Sequence, residues 1–130
     1  MSHSHCAIWV HAIWHTKDNQ PFITPEIENP LYEHMYQLFI DIKCPAKIIN
    51  GISDHVHCLF SLNRNLAVAQ AIKKIKGNSS HWINETKITS EYFSWQIGYS
   101  SFSVSESNLN IVKEYIKNQK KRHIKNALAD

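Results

Sequence analysis

The stretch SDHVHCLFSL, residues 53–62, decides how the rest of the chain reads. Within it the run His55–Phe60 is apolar and rich in strand-favouring residues apart from its two histidines. Side chains alternate faces along a strand. Val56, Cys58 and Phe60 are therefore expected on one face, and His55, His57 and Leu59 on the other. Two imidazoles placed two residues apart become neighbours, which suits a shared metal ion or a shared phosphate. Polar residues on a half-exposed sheet face make the same pattern.

Working outward, AKIINGIS (46–53) reads as a second strand, turned into the HVH strand by Asn50–Gly51 or by Ser53–Asp54. CAIWVHAIWHT (6–16) is the first strand, and DNQPF (18–22) a turn. A helix is predicted after Asn29–Pro30, a capping residue followed by proline at the first helical position. Leu31, Met35, Leu38, Phe39 and Ile42 then recur at helical spacing. A second helix is predicted over 66–83, with Val68, Ile72 and Ile75 on one side and Lys73, Lys74 and Lys76 partly on another. EYFSWQIGYSSFSV (91–104) reads as a strand with a glycine break. Residues 106–128 form a long amphipathic helix with the apolar stripe Leu109, Val112, Ile116 and Ile124. The order β-α-β-β-α-β plus a helix is α+β: a ferredoxin-like antiparallel sheet with an added C-terminal helix. That fold hosts many functions, so it does not select one.

A chain of 130 residues with 43% apolar content suits one domain, 1–130, with a real core. No apolar run reaches the ~18 residues that span a bilayer, and the first residues lack a secretory pattern; no membrane partner is expected. Three cysteines (Cys6, Cys44, Cys58), with no C-x-x-C, favour a reducing cytoplasm over a disulfide framework. The net charge of +3 is mild, but KKIKG (73–77) and KNQKKRHIK (117–125) gather cations late in the chain. Such clusters suit a polyanion such as nucleic acid, or are simply solvated helix faces.

Several histidine chemistries fail on residue count. A histidine-triad nucleotide hydrolase needs a third histidine where Leu59 stands. Two-histidine RNA phosphoesterases need two separated His-x-Thr/Ser motifs, which the chain lacks. A structural zinc site needs four ligands; His3, His5 and Cys6 make only part of one. The last helix is more informative. Tyr115 and Gln119 stand at i and i+4 on one face, with Arg122 and His123 a turn further on. A tyrosine hydroxyl can be a nucleophile that forms a covalent intermediate. Such hydroxyls titrate near ~10, so a nearby cation would help, and would also balance charge in phosphoryl transfer. The alternative for Tyr115 is the rim of the core.

With these residues the chain resembles the single-tyrosine HUH transposases of small bacterial insertion sequences, the insertion-sequence-200-like family. HUH denotes histidine, bulky hydrophobic, histidine, here His55–Val56–His57. The resemblance spans WHTKDNQPFI, SDHVHCLFSL, IKKIKGNSSHWIN, WQIGYSSFSVS and VKEYIKNQKKRH. It implies that Tyr115 attacks a phosphodiester of single-stranded DNA and becomes joined to its 5′ phosphate. A 3′ hydroxyl is left, and the 3′ hydroxyl of another cleaved strand reverses the step. It implies a divalent ion, Mg2+ or Mn2+, held by His55, His57 and the Gln119 carbonyl oxygen. The ion's identity rests on the resemblance, since imidazoles suit manganese or zinc better than magnesium. It further implies hairpin DNA at the element's ends and a homodimer whose sites join the histidines of one chain to the tyrosine helix of the other. Lys73, Lys74, Lys76, Lys120, Lys121 and Arg122 are the candidates for DNA contacts, Trp82 and Trp95 for base stacking or core packing. His11 and His15 share a strand face and are read as structural or as supporting the metal ligands. Many relatives carry two histidines after the glutamine where this chain has Arg122–His123. The other function class is a non-catalytic or domesticated hairpin-binding protein of the same fold.

Overall fold

The computed structural model describes residues 7–123. His3, His5, Cys6 and Ile124 lie outside the described residues. Four strands form one antiparallel sheet in the order β2-β3-β1-β4: β1 (Trp9–His15), β2 (Ala46–Ile52), β3 (His55–Ser61) and β4 (Ser100–Val104). Helices α1 (Pro25–Asp41) and α2 (Val68–Thr86) connect them, and α3 (Leu109–Lys117) follows β4. This is the ferredoxin-like α+β arrangement with a C-terminal helix, and that helix carries Tyr115.

The core lies between the sheet and the pair α1 and α2. Val10, Ala12 and Trp14 of β1 and Val56, Cys58 and Phe60 of β3 belong to it. His55, His57 and Leu59 are on the opposite face, as alternation requires; they too are buried. The covering there comes from α3, which packs on β2 and β3.

Several boundaries differ from the sequence expectation. Helix α1 begins at Pro25 behind Thr24, so Pro30 lies inside it rather than at its start. An interior proline costs about 3 kcal/mol. Ile27, Leu31, Met35 and Phe39, four apart and all buried, contribute roughly 1.5–3 kcal/mol each, which outweighs that cost. Helix α2 starts at Val68, where Gln70 Oε1 accepts the Ala67 N–H (2.8 Å), and runs on to Thr86 before Lys87 turns left-handed (φ 53°). Of the two turn candidates, Ser53–Asp54 makes the β2–β3 turn, and Gly51 pairs with Val56 within the ladder. A Cβ on Gly51 would stand 2.1 Å from the His55 carbonyl oxygen, so close strand approach, not a turn, requires glycine here.

Only the second half of 91–104 is a strand. Phe93 and Trp95 leave the sheet and tuck under α2, save for a single bridge from Thr16 to Trp95. Asn84 holds both backbone groups of Phe93 (2.9 Å each), and Trp95 Nε1 donates to Ser79 Oγ (3.0 Å). Gly98, at φ +99°, makes the break before β4.

The C-terminal helix is interrupted at Asn118 and resumes over 119–123. Asn50 Nδ2 donates to the carbonyls of Ile116 (3.0 Å) and Lys117 (3.1 Å). A side chain inserted into the carbonyl ladder locally breaks a helix.

Candidate active site

Strand β3 is flanked on both sides, so its histidines are held by two neighbours. His57 stands opposite Ile13 of β1 and Asn50 of β2, and His55 opposite His15 and Ile52. The two HVH rings lie 5.3 Å apart, centroid to centroid. Helix α3 brings the Tyr115 ring to 5.9 Å from His57 and 6.2 Å from His11. Two turns on, His123 lies 5.2 Å from His55. Gln119, between Tyr115 and His123 in the chain, is 1% exposed, whereas Tyr115 is 39% exposed. The nucleophile candidate is thus open to solvent while the amide beneath it is enclosed.

Each HVH ring has a partner at Nδ1. Asp54 Oδ1 lies 2.8 Å from Nδ1 of His55, and His11 Nε2 lies 2.9 Å from Nδ1 of His57. A carboxylate only accepts, so the His55 proton is on Nδ1 and its Nε2 lone pair is free. Burial pushes His57 down to about 3, with further lowering from His11, His55, His123 and His15. Burial also lowers His55, although pairing with Asp54 works against it. Both rings are therefore neutral near pH 7, as metal ligation requires. The Gln119 amide donates through Nε2 to the Tyr115 carbonyl (3.2 Å), which leaves its oxygen for a ligand. Two neutral imidazoles and an amide oxygen are a donor set that fits a divalent ion. Among the described residues no three His, Cys, Asp or Glu side chains group as metal ligands.

The docking of α3 is polar as well as apolar. Ile116 is fully buried. Lys120 Nζ pairs with Glu28 and donates to Asn50 Oδ1 (2.7 Å) and the Gly51 carbonyl (3.1 Å). In this single chain Tyr115 consequently stands beside its own histidines. The sequence marks Asn50 and Asp54 only as turn residues; nothing local marks an asparagine that will cap a helix from another element.

The cation candidates divide. Lys73, Lys74 and Lys121 are exposed. Lys76 Nζ is bound to the carbonyls of Gln96 (2.7 Å) and Gly98 (2.8 Å), and clamps the loop before β4 to α2. Lys120 is engaged as above. The Arg122 guanidinium lies over the Tyr115 ring at 4.8 Å, within cation–π range, at a surface hollow shared with Ile111, Glu114, Asn118 and Lys121. Trp95 is core, edge-on to Trp14 (5.9 Å), and Trp82 is half-buried and stacked on His34 (4.3 Å).

Fold and site define a class: a ferredoxin-like α+β domain with two strand histidines and a helix tyrosine on one sheet face. The chain belongs to the family described as Transposase IS200 like, whose model matches residues 4–119 and so spans His55, His57, Tyr115 and Gln119. Similar solved structures include a candidate transposase from Deinococcus radiodurans R1, 20% identical, covering 92% of this chain and 96% of its own (TM-score 0.71). Another is a REP-associated tyrosine transposase bound to a REP hairpin, 13% identical, covering 95% of this chain and 74% of its own (TM-score 0.67). At these identities the likeness is one of fold. No curated protein matches the chain. Among the described residues no helix is long and apolar enough to cross a membrane.

Proposed function

We propose that this transposase, one domain over 1–130 acting in the cytoplasm, cleaves and rejoins single-stranded DNA at hairpin-bearing ends of an insertion sequence. The observation that carries the reading is the meeting of Tyr115 with His57, beside His55, on one sheet face. The Tyr115 oxygen attacks phosphorus, the bond to the 3′ oxygen breaks, and that oxygen takes a proton. The phosphate stays on the 5′ side, now esterified to Tyr115. A 3′ hydroxyl from another cleaved strand reverses the step and frees the tyrosine, so no nucleotide cofactor is consumed. His55, His57 and Gln119 would hold Mg2+ or Mn2+, which when bound polarises the phosphodiester and offsets its developing charge. Lys73, Lys74, Lys121 and Arg122 are proposed to contact phosphates. Lys76 and Lys120 act first as internal clamps, because their ammonium groups are already hydrogen-bonded.

The test is incubation with labelled single-stranded DNA carrying the element's end. A covalent protein–DNA band is expected from wild type, none from Tyr115→Phe, and hairpin binding by both. Adduct from the Phe variant at the wild-type rate removes Tyr115 from the mechanism. Binding without adduct by wild type, with Mn2+ present, supports the hairpin-binding alternative.

The homodimer with shared sites follows from the resemblance. A second reading, in which each chain completes its own site, is favoured by the docking of α3 on its own β2 through Asn50 and Lys120. Mixing His55→Ala with Tyr115→Phe under subunit exchange separates them. Shared sites regain cleavage, because one site of the mixed dimer is intact; self-completed sites stay inactive.

A further inference from the structure

We infer that His11 is a positioning residue: it accepts a hydrogen bond from Nδ1 of His57 and so holds that ring in the tautomer that presents Nε2 to a metal ion. The inference rests on the metal reading above. An imidazole–imidazole contact at 2.9 Å needs one N–H donor and one lone pair. If His57 donates, its proton is on Nδ1 and Nε2 is free to ligate. If His11 donates instead, the His57 proton sits on Nε2 and the ligating face is blocked. His55 has no such ambiguity, because Asp54 can only accept. The competence of the HVH pair therefore depends on the direction of this one bond. Partners that fix a ligand's tautomer and ring plane commonly contribute 10–100-fold to metal affinity.

The geometry restrains His11 on each side. It is 9% exposed. Its strand pairs with β3 on one side and β4 on the other. Its ring meets His57 edge to edge with the two planes near parallel (5.1 Å between centroids, 29° between planes) and lies 6.2 Å from both Phe102 and Tyr115. His11 thus touches the proposed ligand and neighbours the proposed nucleophile. Strand pairing places it diagonally across from His57, since the residue directly opposite His57 is Ile13.

The experiment has two readouts that do not depend on cleavage. The first is the long-range 15N–1H correlation spectrum of the histidines in metal-free wild type, which reports which nitrogen carries the proton. His57 is expected as the Nδ1–H tautomer; an Nε2–H tautomer overturns the inference. The second is Mn2+ affinity by calorimetric titration of wild type, His11→Ala, His11→Gln and His57→Ala. Roughly 10–100-fold weaker binding is expected for His11→Ala, with recovery in His11→Gln, whose carbonyl oxygen can accept the same bond. Wild-type affinity in His11→Ala, with binding lost in His57→Ala, overturns the role of His11 and leaves the metal reading standing. Equal binding by wild type and His57→Ala, or none by wild type, overturns the metal reading and this inference together. If His11→Ala does not fold, the wild-type spectrum and His11→Gln still decide, and a Gln variant that folds but binds as weakly as His57→Ala counts against it.

Discussion

Substituting Asn50 by alanine tests whether the tyrosine helix is held in place by β2. The change removes two bonds from Nδ2, to Ile116 O (3.0 Å) and Lys117 O (3.1 Å), and one from Lys120 Nζ to Oδ1 (2.7 Å). A typical hydrogen bond contributes about 0.5–1.5 kcal/mol net. These three are partly or wholly exposed to water, so the lower half of that range applies, and the sum is about 2 kcal/mol. The Ile116 side chain stays buried, so the helix is loosened rather than lost. About 2 kcal/mol corresponds to roughly a 30-fold rise in the undocked population. Native-state hydrogen exchange reads this directly. Amides of Val112–Lys117 should exchange roughly 30-fold faster in Asn50→Ala, while those of β3 keep their protection. Adduct formation by Tyr115 should slow if docking is required for attack. Unchanged protection of α3 would mean that Asn50 does not anchor the helix, and that its apolar contacts suffice.

Three further outcomes are expected. Gly51→Ala sets a Cβ 2.1 Å from the His55 carbonyl, which forces the β2–β3 hairpin apart; a loss of at least about 2 kcal/mol in urea unfolding is expected, and a neutral result would refute the close approach. Metal-free protein should lose stability in acid: the folded His57 value of about 3 lies below its ordinary 6.5, so the unfolded chain binds more protons between them. Stability from this group is complete above pH 6.5 and falls as pH drops toward 3, by several kcal/mol at most, and His57→Gln should flatten the denaturation midpoint across that window. DNA binding should weaken steeply with salt; Lys73→Ala, Lys74→Ala or Lys121→Ala should each reduce the log–log slope by about 1, whereas Lys76→Ala should mainly lower thermal stability.

Much of the architecture was legible in the sequence, because the patterns that encode it are local. Alternation along 55–61 assigned each side chain to a face, and the buried core agrees with it residue by residue. The order of periods, two for strands and 3.6 for helices, predicted the ferredoxin-like order. Tyr115 and Gln119 stand a turn apart by spacing, but sharing one helix face needs an unbroken helix, and Asn118 interrupts it between them. The misplaced boundaries have a common cause. Local signals such as Asn29–Pro30 or the β-prone 91–104 compete with burial, and burial of Ile27, Phe93 and Trp95 is decided by what packs on them.

What only the tertiary structure decided is which groups meet. The sequence by itself determined that His11 shares a strand face with His15; it did not determine that His11 bonds to His57, because that follows from the antiparallel register of β1 on β3. It marked Lys76 and Lys120 as two cations among several; packing made them clamps. It left Asn50 as a turn candidate, while the fold made it the anchor of the tyrosine helix. Residue type and spacing set what a side chain can donate or accept. Which partner it finds many residues away depends on strand register and helix docking, and those are settled by the free energy of the whole core rather than by neighbours in the chain.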